Sequence, residues 1–149
     1  MGTGDPLTAL NPSIVGQAEK AHGAILRRIL AATTLDEKQW ITMNLAIGMG
    51  TPIDREQLVA RVAAAAKFDP NAIEAAIASL AAARLLGLGD DDHHLTVTNA
   101  GRSLIDDLRA AIAGTVGRAY GEIPAEDLAT AARVLTAITT RLSEELTAD

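Results

Sequence analysis

The sequence predicts a mainly α fold, six helices with one two-stranded β hairpin placed between the fourth helix and the fifth. Three observations carry this. The apolar mass is Ala, Leu, Ile and Val, with Trp40, Phe68 and Tyr120 as the only aromatic residues, a composition that favours closely packed helices over a sheet-rich sandwich. Apolar residues recur at three- and four-residue steps through most of the chain. From Asp54 to Arg102 the residues read DREQLVARVAAAA, then DPNAIEAAIASLAAARLLGLG, then DDDHHLTVTNAGR: a helix, a tight turn, a second helix, and a short hairpin feeding another helix. Two helices across a brief turn, with a hairpin straight after them, form an α+β winged helix-turn-helix.

Residues Met1 to Pro12 are rich in Gly, Pro and Thr and are expected to lie loosely on the surface. Helix one follows Ser13 as cap and runs to about Ala32, its stripe being Ile14, Ala18, Ala21, Ile25 and Ile29, widened by Val15, His22 and Leu26. Thr34 and Glu37 have capping-box spacing, so helix two is expected to start near Leu35, to bury Trp40, Ile41, Leu45 and Ile47, and to end at Gly48, Gly50 and Pro52. Asp54 with Gln57 repeats that logic for helix three, buried through Leu58, Val59 and Val62, with Lys67-Phe68 as the turn.

Asp69-Pro70, an acidic cap before a proline at the first helical position, starts helix four, which packs through Ile73, Ile77 and Leu80. Leu85 to Leu88 and His94 to Val97 are the only expected strands, joined across Gly89-Asp90-Asp91-Asp92. Thr98 caps helix five, with Leu104, Ile105, Leu108, Ile112 and Val116 on one stripe and Gly121 as its break. Pro124, Glu126 and Asp127 open helix six, where acids suit the helix dipole, and its stripe is Leu128, Ala131, Leu135, Ile138, Leu142 and Leu146.

A chain of 149 residues fits one domain, 1–149, and is long enough to bury a real core. Without cysteine there is no disulfide framework, thiolate metal site or cysteine nucleophile. The longest uncharged run, Trp40 to Ile53, is interrupted by Gly48, Gly50 and Pro52 and falls short of the roughly 20 apolar residues that span a bilayer. The amino terminus lacks a basic segment followed by an apolar one, so a cytoplasmic protein is expected. A net charge of -6 disfavours indiscriminate nucleic-acid binding, which needs a basic surface. Residues 13–32 and 99–147 carry more apolar stripe than a small lobe at 35–98 could cover. A homodimer joined through the first and the last two helices is the expected outcome.

The order of these elements and several local motifs resemble the MarR family of winged-helix regulators over roughly Ser13 to Leu146. The residues that carry the likeness are Leu35-Asp36-Glu37-Lys38-Gln39-Trp40 and Phe68-Asp69-Pro70-Asn71-Ala72-Ile73. Further along they are Leu95-Thr96-Val97-Thr98-Asn99-Ala100-Gly101-Arg102 and Ile123-Pro124-Ala125-Glu126-Asp127-Leu128. The Leu-Thr-x-x-Gly type of stretch where hairpin meets helix is the most specific. The resemblance implies a dimer, a palindromic double-stranded DNA operator, and a small-molecule pocket between the DNA lobe and the dimerisation helices. It puts the helix from Pro70 to Arg84 in the major groove with Asn71, Ala72, Ala75 and Ser79 facing bases. Arg55, Lys67, Arg84 and Arg102 become the phosphate partners, and His93 and His94 stand on the wing. His22 and Trp40 fall close to the family's ligand pocket, where an aromatic and a polar group would suit a small aromatic or carboxylate ligand.

The sequence departs from the family pattern at the DNA-facing positions. Ala75 stands where the family has an arginine, Glu74 lies beside it, and the wing, Gly89 to His94, has no arginine. Between Thr51 and Arg102 five basic residues (Arg55, Arg61, Lys67, Arg84, Arg102) face seven acids (Asp54, Glu56, Asp69, Glu74, Asp90, Asp91, Asp92), a net of -2 before histidine. Two readings therefore stay open: a ligand-modulated DNA-binding regulator, and a dimer of the same fold that has lost specific DNA binding and serves as a ligand-binding or protein-interaction module. Protonation of His93 and His94 below about pH 6 would return positive charge to the wing. Neighbouring strand residues point to opposite faces, so the two imidazoles do not readily share a metal ion. No cofactor is expected, and neither is catalysis: there is no Gly-rich phosphate loop, no HExxH and no Gly-x-Ser-x-Gly elbow.

Overall fold

A computed structural model describes residues 9–91 and 93–148, so most of the amino-terminal segment and Asp92 of the hairpin turn lie outside the described residues. In chain order the elements are α1 (Pro12–Leu30), α2 (Glu37–Met49), β1 (Ile53–Asp54), α3 (Arg55–Ala66), α4 (Pro70–Ala82), β2 (Leu86–Leu88), β3 (His94–Val97), α5 (Asn99–Tyr120) and α6 (Ala125–Thr147). The fold class is the expected one, mainly helical with a small antiparallel sheet. The chain divides into two compact units, Met1–Ile112 and Ala113–Asp149, with α5 running through the boundary.

In the first unit, α2, α3 and α4 close around a core completed by the sheet. Met43 and Ala46 of α2, Leu58 and Val62 of α3, and Ile73, Ile77 and Leu80 of α4 are buried, with Ile105 and Leu108 of α5 against them. Removing each Leu or Ile side chain of this set from water contributes about 1.5–3 kcal/mol. The inward line of α2 differs from the expected one. Thr42, Met43 and Ala46 are fully enclosed, while Trp40, Ile41, Leu45 and Ile47 are only partly buried against the cluster. Apolar residues surround α2 on most sides, so its sequence alone does not single out one inward stripe. The Thr42 hydroxyl escapes the cost of burial by donating to the Lys38 carbonyl at 2.7 Å.

The sheet has three strands in the order β1-β3-β2, one more than the expected hairpin. Ile53 pairs with Leu95, and Leu86, Gly87 and Leu88 pair with Val97, Thr96 and Leu95. Ile53 and Leu95 are both buried, so this rung is core as well as ladder. A two-residue strand next to Gly50 and Pro52 is too short to show a period of two, which is why only its partner reveals it.

Caps decide where the helices start. Asp54 and Asp69 cap α3 and α4 as expected, accepting from the Gln57 amide at 3.0 Å and the Asn71 amide at 2.8 Å. At α1 the cap is Asn11, which accepts from the Ile14 amide at 3.1 Å, with Pro12 at the first position; Ser13 instead accepts from Gln17. At α2 the capping box is Asp36 with Gln39, each accepting from the other's backbone amide at 2.8 Å. Thr33 shapes the corner before it, donating to the Leu30 carbonyl and accepting from the Leu35 amide. Where several capping residues stand together, the one whose reciprocal partner is in place prevails.

The wing joins α5 at a crowded point. Thr98 accepts from the Gly101 amide at 3.0 Å and donates to the Arg84 carbonyl at 2.7 Å, with the Leu85 carbonyl 3.1 Å away. Gly101 is buried beneath it, and a Cβ there would run into the Leu85 carbonyl oxygen and come within 2.9 Å of Met43. The Leu-Thr-x-x-Gly stretch thus has a physical basis: Leu95 fills the core, Thr98 caps, and only hydrogen at residue 101 permits the approach.

In the second unit, α6 starts at Pro124 without a side-chain cap, with Glu126 and Asp127 in its first turn. None of its residues is buried in the single chain, and Val134, Leu135, Ile138, Leu142 and Leu146 are exposed.

The junction makes two predictions. Gly101→Ala should cost about 1–3 kcal/mol, the usual range for overpacking, read as a lower urea midpoint; a wild-type midpoint would show that the close approach is no constraint. Thr98→Val should cost about 1–2 kcal/mol by leaving the Gly101 amide and the two carbonyls without the hydroxyl. Thr98→Ser should recover most of that loss in the same titration.

Candidate nucleic-acid interface

The surface in question is built by α3, the turn at residues 67–69, α4 and the wing. Lys67 ends α3 in the left-handed conformation, φ 61°, its amide donating to the Ala63 carbonyl at 2.9 Å. That reversal is held by Phe68, partly buried against the core, and by the Asp69 cap. Ile73, Ala76, Ile77 and Leu80 turn α4 inward, which leaves Asn71, Glu74, Ala75, Ala78 and Ser79 exposed on its other side. Ala72 is half-buried, so of the four residues expected to face bases, Asn71, Ala75 and Ser79 have the fuller exposure.

After α4 the chain turns through Arg84, also left-handed at φ 63°, and enters β2. Lys67, Arg84 and Arg102 are all exposed. Arg55 is different: its backbone amide donates to the His93 carbonyl at 2.9 Å, and its Nε donates to the Glu74 carboxylate at 3.1 Å. The side chains are 24% and 47% exposed, so the pair is a partly shielded surface contact between the first residue of α3 and the middle of α4. This pairing spans nineteen positions and left no local mark in the sequence.

The wing tip folds on itself. Asp91 accepts from the His93 amide at 3.1 Å and lies 3.1 Å from His94 Nδ1, while the Gly89 amide donates to the His94 carbonyl at 2.7 Å. The His94 imidazole, then the His93 amide, hold the Asp91 carboxyl below the usual carboxylate range. His94 thus lies against Asp91, and both histidines are exposed. Among the described residues no group of three or more His, Asp or Glu could hold a metal ion.

His22 and Trp40, the expected ligand residues, stand on α1 and α2. His22 is exposed on α1 and its Nδ1–H donates to the Ala18 carbonyl at 2.7 Å. Trp40 packs partly buried on the core, and its carbonyl accepts from Asn44, whose Oδ1 accepts from Arg109 Nε at 2.8 Å. That Asn44–Arg109 link ties α2 to α5 and was not foreseen. An open cleft of about 380 Å³ is lined by Arg27 and Leu30 of α1, Asp36 and Lys38 at the start of α2, and Phe68, with Lys38 Nζ 5.4 Å from the Phe68 ring centre. Neither His22 nor Trp40 lines it.

No family model and no curated protein matches the chain in sequence. Solved structures do match its shape. A MarR-family transcriptional regulator from a Rhodococcus species superposes with a TM-score of 0.71 at 23% identity, over 88% of this chain and 96% of that one. CouR from Rhodococcus jostii, bound to p-coumaroyl-CoA, gives 0.71 at 21% identity over 84% of this chain and 88% of its own. NadR in complex with 4-hydroxyphenylacetate gives 0.70 at 17% identity, over 89% and 96%. At these identities the likeness is one of fold, and it agrees with the helix order, the wing and the α4 geometry described above. The chain has the winged-helix fold of the MarR transcriptional regulators.

Proposed function

We propose that the chain is a dimeric, cytoplasmic transcriptional regulator that binds palindromic double-stranded DNA and responds to a small ligand. The observation that carries the reading is α4: a helix buried along one side, exposed along the other, and backed by a three-stranded wing, in a fold shared with known regulators. Asn71 and Ser79 supply hydrogen-bonding groups on the exposed side, and Lys67, Arg84, Arg102 and Arg55 supply the cations. Dimerisation is supported by the uncovered stripes, Ile14 and Val15 on α1 and Leu135, Ile138 and Leu142 on α6. A small aromatic or carboxylate ligand is supported by the aromatic acid derivatives bound to NadR and CouR. Trp40 and His22 remain its proposed contacts, and Arg27 and Lys38 of the open cleft are further cations within the same lobe. No described helix is long and apolar enough to cross a membrane, and the structural neighbours are regulators rather than enzymes.

The second reading, a dimer without specific DNA binding, draws on one observation. The wing carries Asp90 and Asp91 with no arginine, and Arg55 is already engaged by Glu74. Fluorescence anisotropy against the DNA upstream of its own reading frame separates the two. The regulator should bind with a Kd of micromolar or tighter at low salt, weakened by millimolar aromatic acid, and with a salt slope no steeper than about -7 for four cations per protomer. Affinity equal to that for random DNA would support the second reading.

The interface is tested on α6. Ile138→Asp with Leu142→Asp should give a monomer by light scattering with helical circular dichroism retained. A wild-type chain that is monomeric at tens of micromolar would remove the dimer from the proposal.

A further inference from the structure

The one acid on α4 is Glu74, and it lies on the exposed side, three residues and so about one turn beyond Asn71. A bare carboxylate there would repel the phosphates flanking the major groove. It is not bare, because Arg55 Nε holds Oε1 at 3.1 Å. The Arg55 backbone is itself fixed beside the wing tip by the hydrogen bond from its amide to the His93 carbonyl. The pair is partly shielded, and such surface pairs contribute little to stability. On the same side, Ala75 and Ala78 present only methyl groups, which lets the helix backbone approach the groove floor and brings the longer Glu74 within reach of base edges.

We propose that Glu74 reads a base in each operator half-site, accepting a hydrogen bond from the N4 amino group of a cytosine, with Arg55 as its positioning residue. The proposal rests on the regulator reading above. A carboxylate has lone pairs beyond the one that Arg55 engages. In the major groove, cytosine presents an amino donor, guanine two acceptors, thymine an acceptor and a methyl group, and adenine a donor beside the N7 acceptor. A group that only accepts therefore favours cytosine. The neutralised pair also carries no net charge toward the phosphates, so specificity is gained without the repulsion of an isolated acid.

The test is selection from a random duplex library by the full chain and by Glu74→Ala and Glu74→Gln, both expected to melt within a few degrees of wild type. Wild-type sites should contain one cytosine per half-site whose replacement by thymine weakens binding about tenfold or more. Glu74→Ala should bind the cytosine and thymine sites alike, and Glu74→Gln should move the preference toward adenine, whose donor and acceptor match an amide. Arg55→Gln should weaken the cytosine site in the wild-type background far more than in Glu74→Ala, whereas a plain phosphate contact would cost the same in both. Enriched sites whose base frequencies are unchanged in Glu74→Ala would overturn the proposal and leave the regulator reading standing. A wild-type chain that enriches no sequence would overturn both.

Discussion

The Leu85 carbonyl is the point on which the lobe of α3, α4 and the sheet depends. It follows Arg84, whose left-handed backbone costs on the order of 1 kcal/mol in a residue with a side chain. That turn sends the chain from the end of α4 straight into β2, and it persists because its surroundings leave no alternative. The Leu85 amide reaches back to the Leu80 carbonyl at 2.9 Å, Thr98 bonds the carbonyls on the far side, and Gly101 lets α5 press against them. One small knot therefore sets the relation of α4, wing and α5. Leu95, Thr98 and Gly101 each have a part in it, which gives the Leu-Thr-x-x-Gly spacing its physical reason.

Two acids of the same lobe have a basic side chain against them. Arg55 answers Glu74, and His94 answers Asp91. Lys67, Arg84 and Arg102 are exposed and belong to neither pair. On the exposed side of α4 the polar groups are Asn71, Glu74 and Ser79.

The two units differ in how far the chain alone satisfies them. The lobe of α2, α3, α4 and the sheet encloses Met43, Leu58, Ile73, Ile77 and Leu95 completely. Helix α6 encloses nothing, and Leu142 and Leu146 stay 59% and 75% exposed. A helix with such a stripe gains stability when the stripe is covered.

Much of this was legible in the residues themselves. Capping at Asp54, Asp69 and Thr98, the inward lines of α3, α4 and α5, and the positions of β2 and β3 are consequences of interactions within about four residues. The chain writes those out in order. Where neighbours competed for one role, as Ser13 with Asn11 or Thr34 with Asp36, the sequence named the helix and its start shifted by two residues. What only the tertiary structure decided are the contacts between distant segments: Ile53 as a strand against Leu95, Asn44 bound by Arg109, Arg55 bound to Glu74, and the absence of His22 and Trp40 from the cleft that Arg27 and Lys38 line. Those depend on the path of the backbone between the partners. A local pattern carries no record of that path, because any of several paths would bury the same stripes.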